Sequence, residues 1–415
     1  MNFLYNTGIR LYAAAAGLAS LRSRKIETML AGQKRALQDV KAKIRPEDNP
    51  VWIHVASLGE FEQGRPLIER LKKEHPDKKI VLSFFSPSGY EVRKNYDKVD
   101  CVLYLPFDTP ENARNIVDAI NPSVAIFVKY EFWGNYLKTL ARKGVPTYII
   151  SAIFRPGQAF FKPYGGMMRD VLGCFTHLYV QDEASRKLLE DIGVTNVTVA
   201  GDTRFDRVAD VRSSKCKIEW IPRMMEHAAM KFIAGSSWPA DEAVYADWLN
   251  ARKDVKFIIA PHEFDDARLS HLKGLFPGRE VMLLSEWQRA GSPASVEGLI
   301  VDSFGHLSSL YRYADVAYIG GGFGTGIHNI NEAAVYGIPV VFGPRHQKFR
   351  EAAGLIQCGG GISVSSVVEF DDVMDRFLSD PAYLKSAGEA AGRYITENLG
   401  ATTRIYDSIF TTHRH

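Results

Sequence analysis

An acidic residue, Glu60, follows the first strand-like run of the chain and opens an amphipathic segment with helical spacing. Ser57 and Gly59 precede it, and we expect Gly59 to permit a tight turn that places Glu60 at a helix amino terminus. The helix dipole favours the ionised carboxylate there. An ionised carboxylate at an open edge suits a general base for a sugar hydroxyl. A simple acidic helix cap is the alternative interpretation.

Three further segments place polar groups directly after predicted strands. Ser86 and Ser88 belong to a Ser-Pro-Ser-Gly turn, which suits a polar or anionic substrate group or merely caps a helix. Glu131 is a second carboxylate and has aromatic neighbours. Arg204 suits a phosphate or a carboxylate, because a guanidinium is always charged and binds with two prongs. An ion pair with an aspartate two residues away on either side is the alternative for this arginine.

The second half of the chain holds a glycine-rich turn at 320–326. Glycines let the backbone approach a phosphate, and the helix start that follows supplies N–H donors. Glu332, in the first turn of that helix, could accept hydrogen bonds from ribose hydroxyls. Ser236-Ser237 and Pro261-His262 follow two more strand-like runs. The spacing lacks the GxGxxG pattern of a dinucleotide fold, so these turns together predict a different nucleotide site.

Short apolar, β-branched runs alternate with helical patterns such as 61–74 and 109–120, which indicates parallel sheets covered on both faces. The predicted strands are 51–56, 79–84, 101–105, 124–128, 147–150, 177–180, 197–200, 231–234, 256–259, 281–284, 299–301, 316–319, 339–342 and 361–364.

The pattern therefore predicts an α/β protein with two doubly wound, Rossmann-like domains that face a cleft, where ligands of open α/β sheets bind. The predicted segments are a membrane-associated segment at 1–25, an amino-terminal domain at 26–210, a linker and entry helix at 211–230, a carboxy-terminal domain at 231–390, and a helix at 391–415 that packs back on the first domain.

The amino terminus is apolar over residues 1–21 and is followed at once by basic residues. Its length is close to the roughly 20 residues of a spanning helix, but Asn6 and Arg10 interrupt it. An interfacial helix fits the pattern, with its apolar side on acyl chains and its basic cluster on anionic headgroups. An ordinary amphipathic helix packed on the protein is the alternative.

Composition excludes several classes of protein. The formal net charge of +3 is too small to indicate nucleic-acid binding, although residues 1–50 hold nine Lys/Arg against four Asp/Glu. The four cysteines form no CxxC pair, which fits a reducing compartment and no zinc site. Other metal-binding motifs are also missing from the sequence.

Together, these segments resemble the family of 3-deoxy-D-manno-octulosonic acid (Kdo) transferases, which has the GT-B fold. The matching stretches, which occur in the family's order over nearly the whole chain, are WIHVASLGE at 52–60, SPSG at 86–89, EFW at 131–133, GDTRFD at 201–206, GSSW at 235–238, the region around 261–262, DSFGHLSSLY at 302–311 and GIHNINEAAVYGIPVVFGP at 326–344.

The resemblance implies an inverting, metal-independent transfer of Kdo from CMP-Kdo to lipid IVA, in lipopolysaccharide biosynthesis at the cytoplasmic face of the bacterial inner membrane, with no cofactor. It implies that Glu60 is the catalytic base and that Glu131 and Arg204 steady the developing charge, with Ser57, Gly59, Ser86 and Ser88 on the acceptor side. The residues implied to bind CMP are Ser236, Ser237, Pro261, His262, Phe304, Gly305, His306, Gly326, Asn329, Ile330, Asn331 and Glu332.

The chain departs from the family pattern at two positions. Many members have an arginine in a PRH sequence where this chain reads Ala260-Pro261-His262. Many also have a carboxylate where this chain has His306. Part of the contact with the donor is therefore expected to come from elsewhere.

Two other functions are compatible with these patterns. The first is a UDP-sugar enzyme of the same fold, either a glycosyltransferase or an epimerase. The second is a non-catalytic protein of the membrane surface that keeps the fold as a scaffold, against which the presence of Glu60, Arg204 and Glu332 together speaks.

Overall fold

The computed structural model describes residues 3–213 and 221–411 of the 415-residue chain, apart from the side chains of residues 222 and 223. Part of the predicted linker at 211–230 lies outside the described residues. The chain forms two compact units: unit 1 comprises Met1–Arg207 and Gly400–His415, and unit 2 comprises Val208–Leu399. Unit 2 ends at Leu399, just after a helix that continues to Glu397. The sequence had placed the end of the carboxy-terminal domain at residue 390.

Unit 1 is built on a parallel sheet of seven strands in the order β3-β2-β1-β4-β5-β6-β7. The strands are β1 (Val51–Val55), β2 (Ile80–Phe84), β3 (Cys101–Tyr104), β4 (Val124–Val128), β5 (Thr147–Ala152), β6 (His177–Val180) and β7 (Val197–Val199). The helices are α1 (Phe3–Ser20), α2 (Arg24–Lys43), α3 (Leu58–Glu74), α4 (Pro87–Arg93), α5 (Pro110–Ile120), α6 (Gly134–Arg142), α7 (Gly166–Leu172) and α8 (Glu183–Glu190). Helix α9 (Thr203–Ser213) begins in unit 1 and ends in unit 2.

Unit 2 repeats the arrangement with the parallel order β10-β11-β9-β8-β12-β13-β14. The strands are β8 (Met230–Ser237), β9 (Val255–Pro261), β10 (Val281–Leu283), β11 (Gly298–Ile300), β12 (Val316–Ile319), β13 (Val340–Phe342) and β14 (Gly361–Ser363). The helices are α10 (Ile221–Met224), α11 (Pro239–Ala251), α12 (Asp266–Gly274), α13 (Leu284–Arg289), α14 (Leu307–Leu310), α15 (Asn331–Ala334), α16 (Arg350–Cys358), α17 (Val367–Ser379) and α18 (Pro381–Glu397).

Helix α19 (Ala401–Tyr406) and the π-helical turn Asp407–Thr411 that follows it belong to unit 1. Asp206 accepts hydrogen bonds from the backbone N–H groups of Gly400 and Thr402, both at 2.6 Å, and so caps this helix. Ile405 and Tyr406 are buried in the same apolar cluster as Phe61 of α3. The segment after residue 399 therefore completes one face of the first sheet.

Strand alternation divides the core of unit 1 between the two faces of its sheet. Trp52 of β1 lies in the cluster covered by α2, α5 and α6, whereas Ile53 and Val55 lie in the cluster covered by α3 and α19. All five residues of β1 are buried, as expected for a central parallel strand. The one polar residue among them is His54.

The sequence predicted all fourteen strands and their parallel arrangement, with one informative error in length. β8 continues to Ser237 and β9 to Pro261, three and two residues beyond the predicted ends. The register shifts between Gly235 and Ser237, so the extra residue is absorbed as an irregularity of the ladder. Ser236, Ser237 and Pro261 therefore lie within strands, and the expectation of turns at these positions was wrong.

We expect Gly322→Ala to lower the free energy of unfolding of unit 2 by about 1–3 kcal/mol. A Cβ atom at residue 322 would lie 2.5 Å from the backbone of Gly343, which cannot move away as a side chain would. Gly324→Ala is the matched control, because the nearest atom to its Cβ would be 3.6 Å away. Urea unfolding of both variants measures the difference, and equal loss in the two would contradict the packing argument.

Candidate functional site

The Glu60 carboxylate is held at the beginning of α3 through one of its two oxygens. Oε2 accepts hydrogen bonds from the backbone N–H of Ala56 at 2.7 Å and of Ser57 at 3.0 Å, and from the Ser57 hydroxyl at 3.3 Å. Glu60 is thus a helix-capping residue, as the alternative interpretation of the sequence had it. Oε1 accepts no hydrogen bond from the described residues, and the side chain is partly exposed. One oxygen fixes the carboxylate while the other stays available.

The pKa of Glu60 is raised above its ordinary value. Burial is the largest cause, and the negative charge of Glu131 adds to it. The N–H of Ala56 and the charges of His54 and Lys129 act in the opposite direction and do not cancel the rise. A carboxylate with a raised pKa accepts a proton more readily, which suits a general base.

Glu131 lies after β4 and is almost fully buried, with 8% of its surface exposed. Its Oε2 accepts hydrogen bonds from Trp133 Nε1 at 2.5 Å and from His54 Nε2 at 2.8 Å. The loop that carries it begins at Lys129, whose φ of 68° is left-handed. Such a conformation is costly for a residue with a side chain and is typical of functional loops. The structure therefore holds the second carboxylate in a fixed orientation.

His54 is a site residue that the sequence reasoning missed. It is fully buried in β1, and its Nδ1 lies 2.8 Å from the hydroxyl of Ser83. Trp52 Nε1 donates to the same hydroxyl at 2.9 Å. Because a carboxylate oxygen only accepts, Nε2 of His54 carries a hydrogen toward Glu131. The sequence did contain a signal for this role: His54 is the one polar residue in the strand VWIHV. A buried polar side chain needs hydrogen-bond partners, so a histidine there indicates a polar network.

The serine turn after β2 lies against the turn that carries Glu60. Ser86 N donates to the carbonyl of Ala56 at 2.7 Å, and a Cβ at Gly89 would lie 3.0 Å from the carbonyl carbon of Ser57. Ser86 caps α4 through its hydroxyl, which also lies 2.9 Å from the hydroxyl of Ser88. The structure thus brings the predicted acceptor-side serines together.

Gly59 has a different role from the one expected. It lies in the first turn of α3 without a positive φ, so the prediction of a tight turn at this residue was wrong. The nearest atom to a Cβ there would be the Ser57 hydroxyl oxygen at 4.0 Å. The residue is exposed, and its lack of a side chain leaves the space beside Glu60 open.

Arg204, in the first turn of α9, forms a two-pronged contact with Asp202. Its Nε and Nη2 donate to Asp202 Oδ2 at 2.9 and 2.7 Å. Gln63 also donates to this buried carboxylate, at 3.1 Å. Burial favours a raised pKa for Asp202, but the charge and hydrogen bonds of Arg204 outweigh it, and the pKa lies below its ordinary value. The ion pair considered from the sequence is therefore formed, with the partner at 202.

In unit 2, five neighbouring strands bring their carboxyl ends to one edge of the sheet, in the order β11, β9, β8, β12 and β13. Ser237, at the end of β8, is buried, and its hydroxyl donates to Glu242 at 3.0 Å and lies 2.7 Å from the Tyr245 hydroxyl. This hydroxyl is thus occupied within the protein. Ser236 is less buried and has a φ of 53°, which turns the backbone at the strand end.

Three aromatic rings stack at this edge. Trp238 stacks on His262 and His262 on His328, each with ring centroids 4.6 Å apart. Trp238 Nε1 donates to His328 Nε2 at 3.2 Å, which leaves Nδ1 of His328 as the hydrogen-bearing nitrogen. Burial, followed by the proximity of His262, lowers the pKa of His328 to about 4, so its ring is neutral near pH 7. The sequence analysis had His262 in the site but did not single out His328.

A buried carboxylate fixes the glycine-rich turn. Asp241, fully buried at the start of α11, accepts hydrogen bonds from Gly321 N at 2.8 Å and from the Tyr318 hydroxyl at 3.1 Å. The positive φ of Gly326, 128°, is a conformation that favours glycine. Arg345, after β13, donates from its backbone N to the carbonyl of Gly322 at 2.9 Å. The turn is thus anchored from two sides.

Glu332 joins two of the predicted donor-binding segments. Its Oε2 accepts from the Ser308 hydroxyl at 2.5 Å, and its Oε1 accepts from Asn329 Nδ2 at 3.1 Å. Asn331 is fully buried, and neither amide atom of its side chain has a hydrogen-bond partner among residues 3–213 and 221–411. Such a group is costly unless something pairs with it.

The remaining predicted donor-binding residues differ in exposure. Phe304 is 84% exposed and lies 4.5 Å from Phe264 between ring centroids. Gly305 has a positive φ of 92°, and His306 precedes α14 without capping it through its side chain. Ile330 and Pro261 are buried.

The described ranges, 3–213 and 221–411, lack two kinds of feature. They hold no group of three or more His, Cys, Asp or Glu side chains placed to bind a metal ion. They also hold no helix with the length and apolar character needed to cross a bilayer.

Solved structures similar to this chain share its fold. A UDP-GlcNAc 2-epimerase from Neisseria meningitidis, bound to UDP-GlcNAc, is 14% identical, with a TM-score of 0.62 over 87% of this chain and 100% of that one. A putative UDP-N-acetylglucosamine 2-epimerase from Listeria monocytogenes is also 14% identical, with a TM-score of 0.61 over 88% and 96%. MurG from Acinetobacter baumannii is 12% identical, with a TM-score of 0.54 over 87% and 99%. These likenesses support the pair of Rossmann-like domains and a GT-B-like architecture.

Similarity in sequence points to one family. A family model described as 3-deoxy-D-manno-octulosonic-acid transferase (kdotransferase) matches residues 27–207. The 3-deoxy-D-manno-octulosonic acid transferase of Chlamydophila psittaci is 26% identical over 88% of this chain and 85% of its own length. Those of Aquifex aeolicus and Haemophilus influenzae are 26% and 22% identical over 79% and 94% of this chain, and over 86% and 93% of their own lengths. These findings support a Kdo transferase, which is a type of glycosyltransferase.

Proposed function

We propose that this Kdo transferase moves Kdo from CMP-Kdo to a hydroxyl group of lipid IVA, a precursor of lipid A, at the cytoplasmic face of the bacterial inner membrane. The observation that carries the proposal is the geometry of Glu60. Its Oε2 is fixed by two backbone N–H groups, and its Oε1 accepts no hydrogen bond from the described part of the chain. A base of this kind is ready to accept the proton of an incoming hydroxyl.

The proposed step is a single displacement. The acceptor hydroxyl gives its proton to Oε1 of Glu60 while its oxygen forms a bond to the anomeric carbon of Kdo. The bond from that carbon to the phosphate oxygen breaks, and its electron pair leaves with CMP. The anomeric configuration is therefore inverted.

Glu131 and Arg204 assist this step by their charge in our proposal. Glu131 is fixed by His54 and Trp133, and its negative charge keeps Glu60 basic. This negative charge also stabilises the positive charge that develops at the anomeric carbon. Asp202 orients the guanidinium of Arg204, which retains partial exposure for an anionic group of the substrate.

The carboxyl edge of the sheet in unit 2 is the proposed CMP site. The glycine-rich turn and the start of α15 offer backbone N–H groups for the phosphate, and Glu332 is placed to accept from a ribose hydroxyl. The stack of Trp238, His262 and His328 provides a flat surface and a neutral Nδ1–H donor. The leaving group is a phosphate monoester, and we infer that no metal ion or other cofactor is required.

The exposed side of α1 is the proposed contact with the anionic membrane surface. Phe3, Leu4, Leu11 and Leu18 on α1, and Leu21 just beyond it, are each at least 66% exposed. Exposed basic residues accompany them at Arg10, Arg22, Arg24 and Lys25. Apolar side chains beside basic ones suit the boundary between acyl chains and anionic headgroups.

We expect Glu60→Gln to lower kcat for Kdo transfer by about 10²–10⁴-fold, because an amide cannot accept the proton. The rise in melting temperature caused by CMP should be retained, since Glu60 lies in unit 1 and the proposed CMP site in unit 2. Glu74→Gln, at the other end of α3, is the control and should keep its activity. Mass spectrometry of lipid IVA incubated with CMP-Kdo measures transfer, and near-normal turnover by Glu60→Gln would remove the assignment of the base.

We expect Glu131→Gln to move the acidic limb of the pH–rate profile to lower pH. Protonation of Glu60 stops it from acting as a base, so the rate falls as the pH drops through the pKa of this residue. The charge of Glu131 raises that pKa, and its removal lowers it. The residual activity of the variant, followed from acidic to neutral pH, tests this direction. A limb displaced to higher pH would contradict the coupling of the two carboxylates.

We expect CMP to raise the melting temperature of the protein and UDP at the same concentration to leave it nearly unchanged. Only a nucleotide that binds the folded protein stabilises it by mass action. Thermal shift measurements with both nucleotides separate a CMP-sugar enzyme from the UDP-sugar glycosyltransferase or epimerase considered from the sequence. A larger shift with UDP would support that alternative.

A further inference from the structure

The inner side of α1 is attached to the loop that follows Glu131. The Tyr5 hydroxyl donates to Asp108 Oδ2 at 2.6 Å and accepts from the backbone N–H of Gly134 at 3.2 Å. The next residue of α1 makes a second contact, in which Asn135 Nδ2 donates to Asn6 Oδ1 at 2.9 Å. We call these five residues the α1–α6 junction.

Asp108 is the centre of the α1–α6 junction. This fully buried carboxylate also accepts from Asn135 N at 2.8 Å and from Tyr136 N at 2.9 Å, and so caps α6. Burial raises its pKa to about 6 despite these donors and Tyr5. A carboxylate of this kind needs each of its hydrogen bonds, because the low-dielectric interior penalises every one that is lost. Tyr5 is thus part of the structure that fixes the start of α6.

Aromatic contacts attach α1 to the same loop from a second side. The Tyr12 ring lies 5.4 Å from Phe107 and 6.4 Å from Phe85, measured between centroids. Phe85 in turn lies 4.8 Å from Trp133. Trp133 is the residue before Gly134, and its indole N–H donates to Glu131. A continuous set of contacts therefore runs from α1 to the carboxylate beside Glu60.

We infer that α1 is a positioning element of the catalytic half: through the α1–α6 junction it holds Trp133, and through Trp133 it holds Glu131. The inference rests on the proposed function, in which Glu131 acts on Glu60 and on the substrate. One side of the helix meets the lipid surface and the other holds a catalytic carboxylate in place. If α1 loses its contacts with unit 1, the substrate sites remain but the carboxylate of Glu131 is displaced.

The test uses two variants that each remove one contact of the junction, Tyr5→Phe and Asn6→Ala, in the full-length chain. Thr7→Val is the matched control, because the Thr7 hydroxyl donates to the carbonyl of Phe3 in its own helix and takes no part in the junction. With acceptor dispersed in detergent, we expect each junction variant to lower kcat about tenfold, as small displacements of catalytic groups do. The KM for CMP-Kdo and the flotation with anionic vesicles should match those of the control. The acidic limb should move to lower pH, because Glu131 acts less strongly on Glu60.

A second measurement needs no substrate. Hydrogen exchange followed by mass spectrometry should show faster exchange of the amides at 134–136 in Tyr5→Phe than in Thr7→Val. The amide of Gly134 loses its acceptor, and Asp108, which accepts from the other two amides, loses the hydrogen bond from Tyr5. Equal exchange and a kcat within twofold of the control would overturn the inference. Loss of vesicle binding with unchanged kcat would also overturn it. Failure of the wild-type protein to transfer Kdo would instead remove the proposed function, while hydrogen exchange would still decide whether α1 fixes the loop.

Discussion

Unit 1 positions Glu60, the proposed base, through a division of roles between its two carboxylate oxygens. The oxygen that accepts from Ala56 and Ser57 joins the end of β1 to the start of α3, so the position of the carboxylate is set by the backbone of the central strand. The same contacts explain how a helix-capping residue can also suit the proposed role of base: the cap fixes the orientation, and the second oxygen remains available for a proton.

Around this residue the protein builds an environment that costs stability. Glu131, His54 and Ser83 place polar groups inside the sheet, where each is tolerated only because it is paired. Lys129 and Ser151 add left-handed backbone at the ends of β4 and β5. Unit 2 follows the same rule, since Asp241 is buried without a counter-charge among its hydrogen-bond partners, Gly321, Trp238 and Tyr318, and anchors the glycine-rich turn. In both units the rigid sheet compensates for strained or polar features at its carboxyl edge.

The sequence was sufficient to predict the sheets and the place of Glu60 at the start of a helix, and insufficient to predict the network around it. Continuous apolar runs identify buried parallel strands without further information, which is why all fourteen were found. Glu60 was recognisable because it interacts with residues three and four positions away. His54 was not, because its partners are 29 and 77 residues distant and no local pattern records such pairs. Ser237 was misjudged for a similar reason: a hydroxyl at a strand end looks available until the structure turns it toward Glu242 and Tyr245.

The return of the chain to unit 1 has a consequence for synthesis in the cell. One face of the first sheet is completed by Ile405, Tyr406 and Ile409, which are synthesised after unit 2. While unit 2 is being synthesised, the nascent first unit therefore exposes an apolar surface. During this time Asp206 lacks the backbone N–H groups of Gly400 and Thr402 that it later binds. Unit 1 therefore acquires its finished core only after unit 2 has been synthesised.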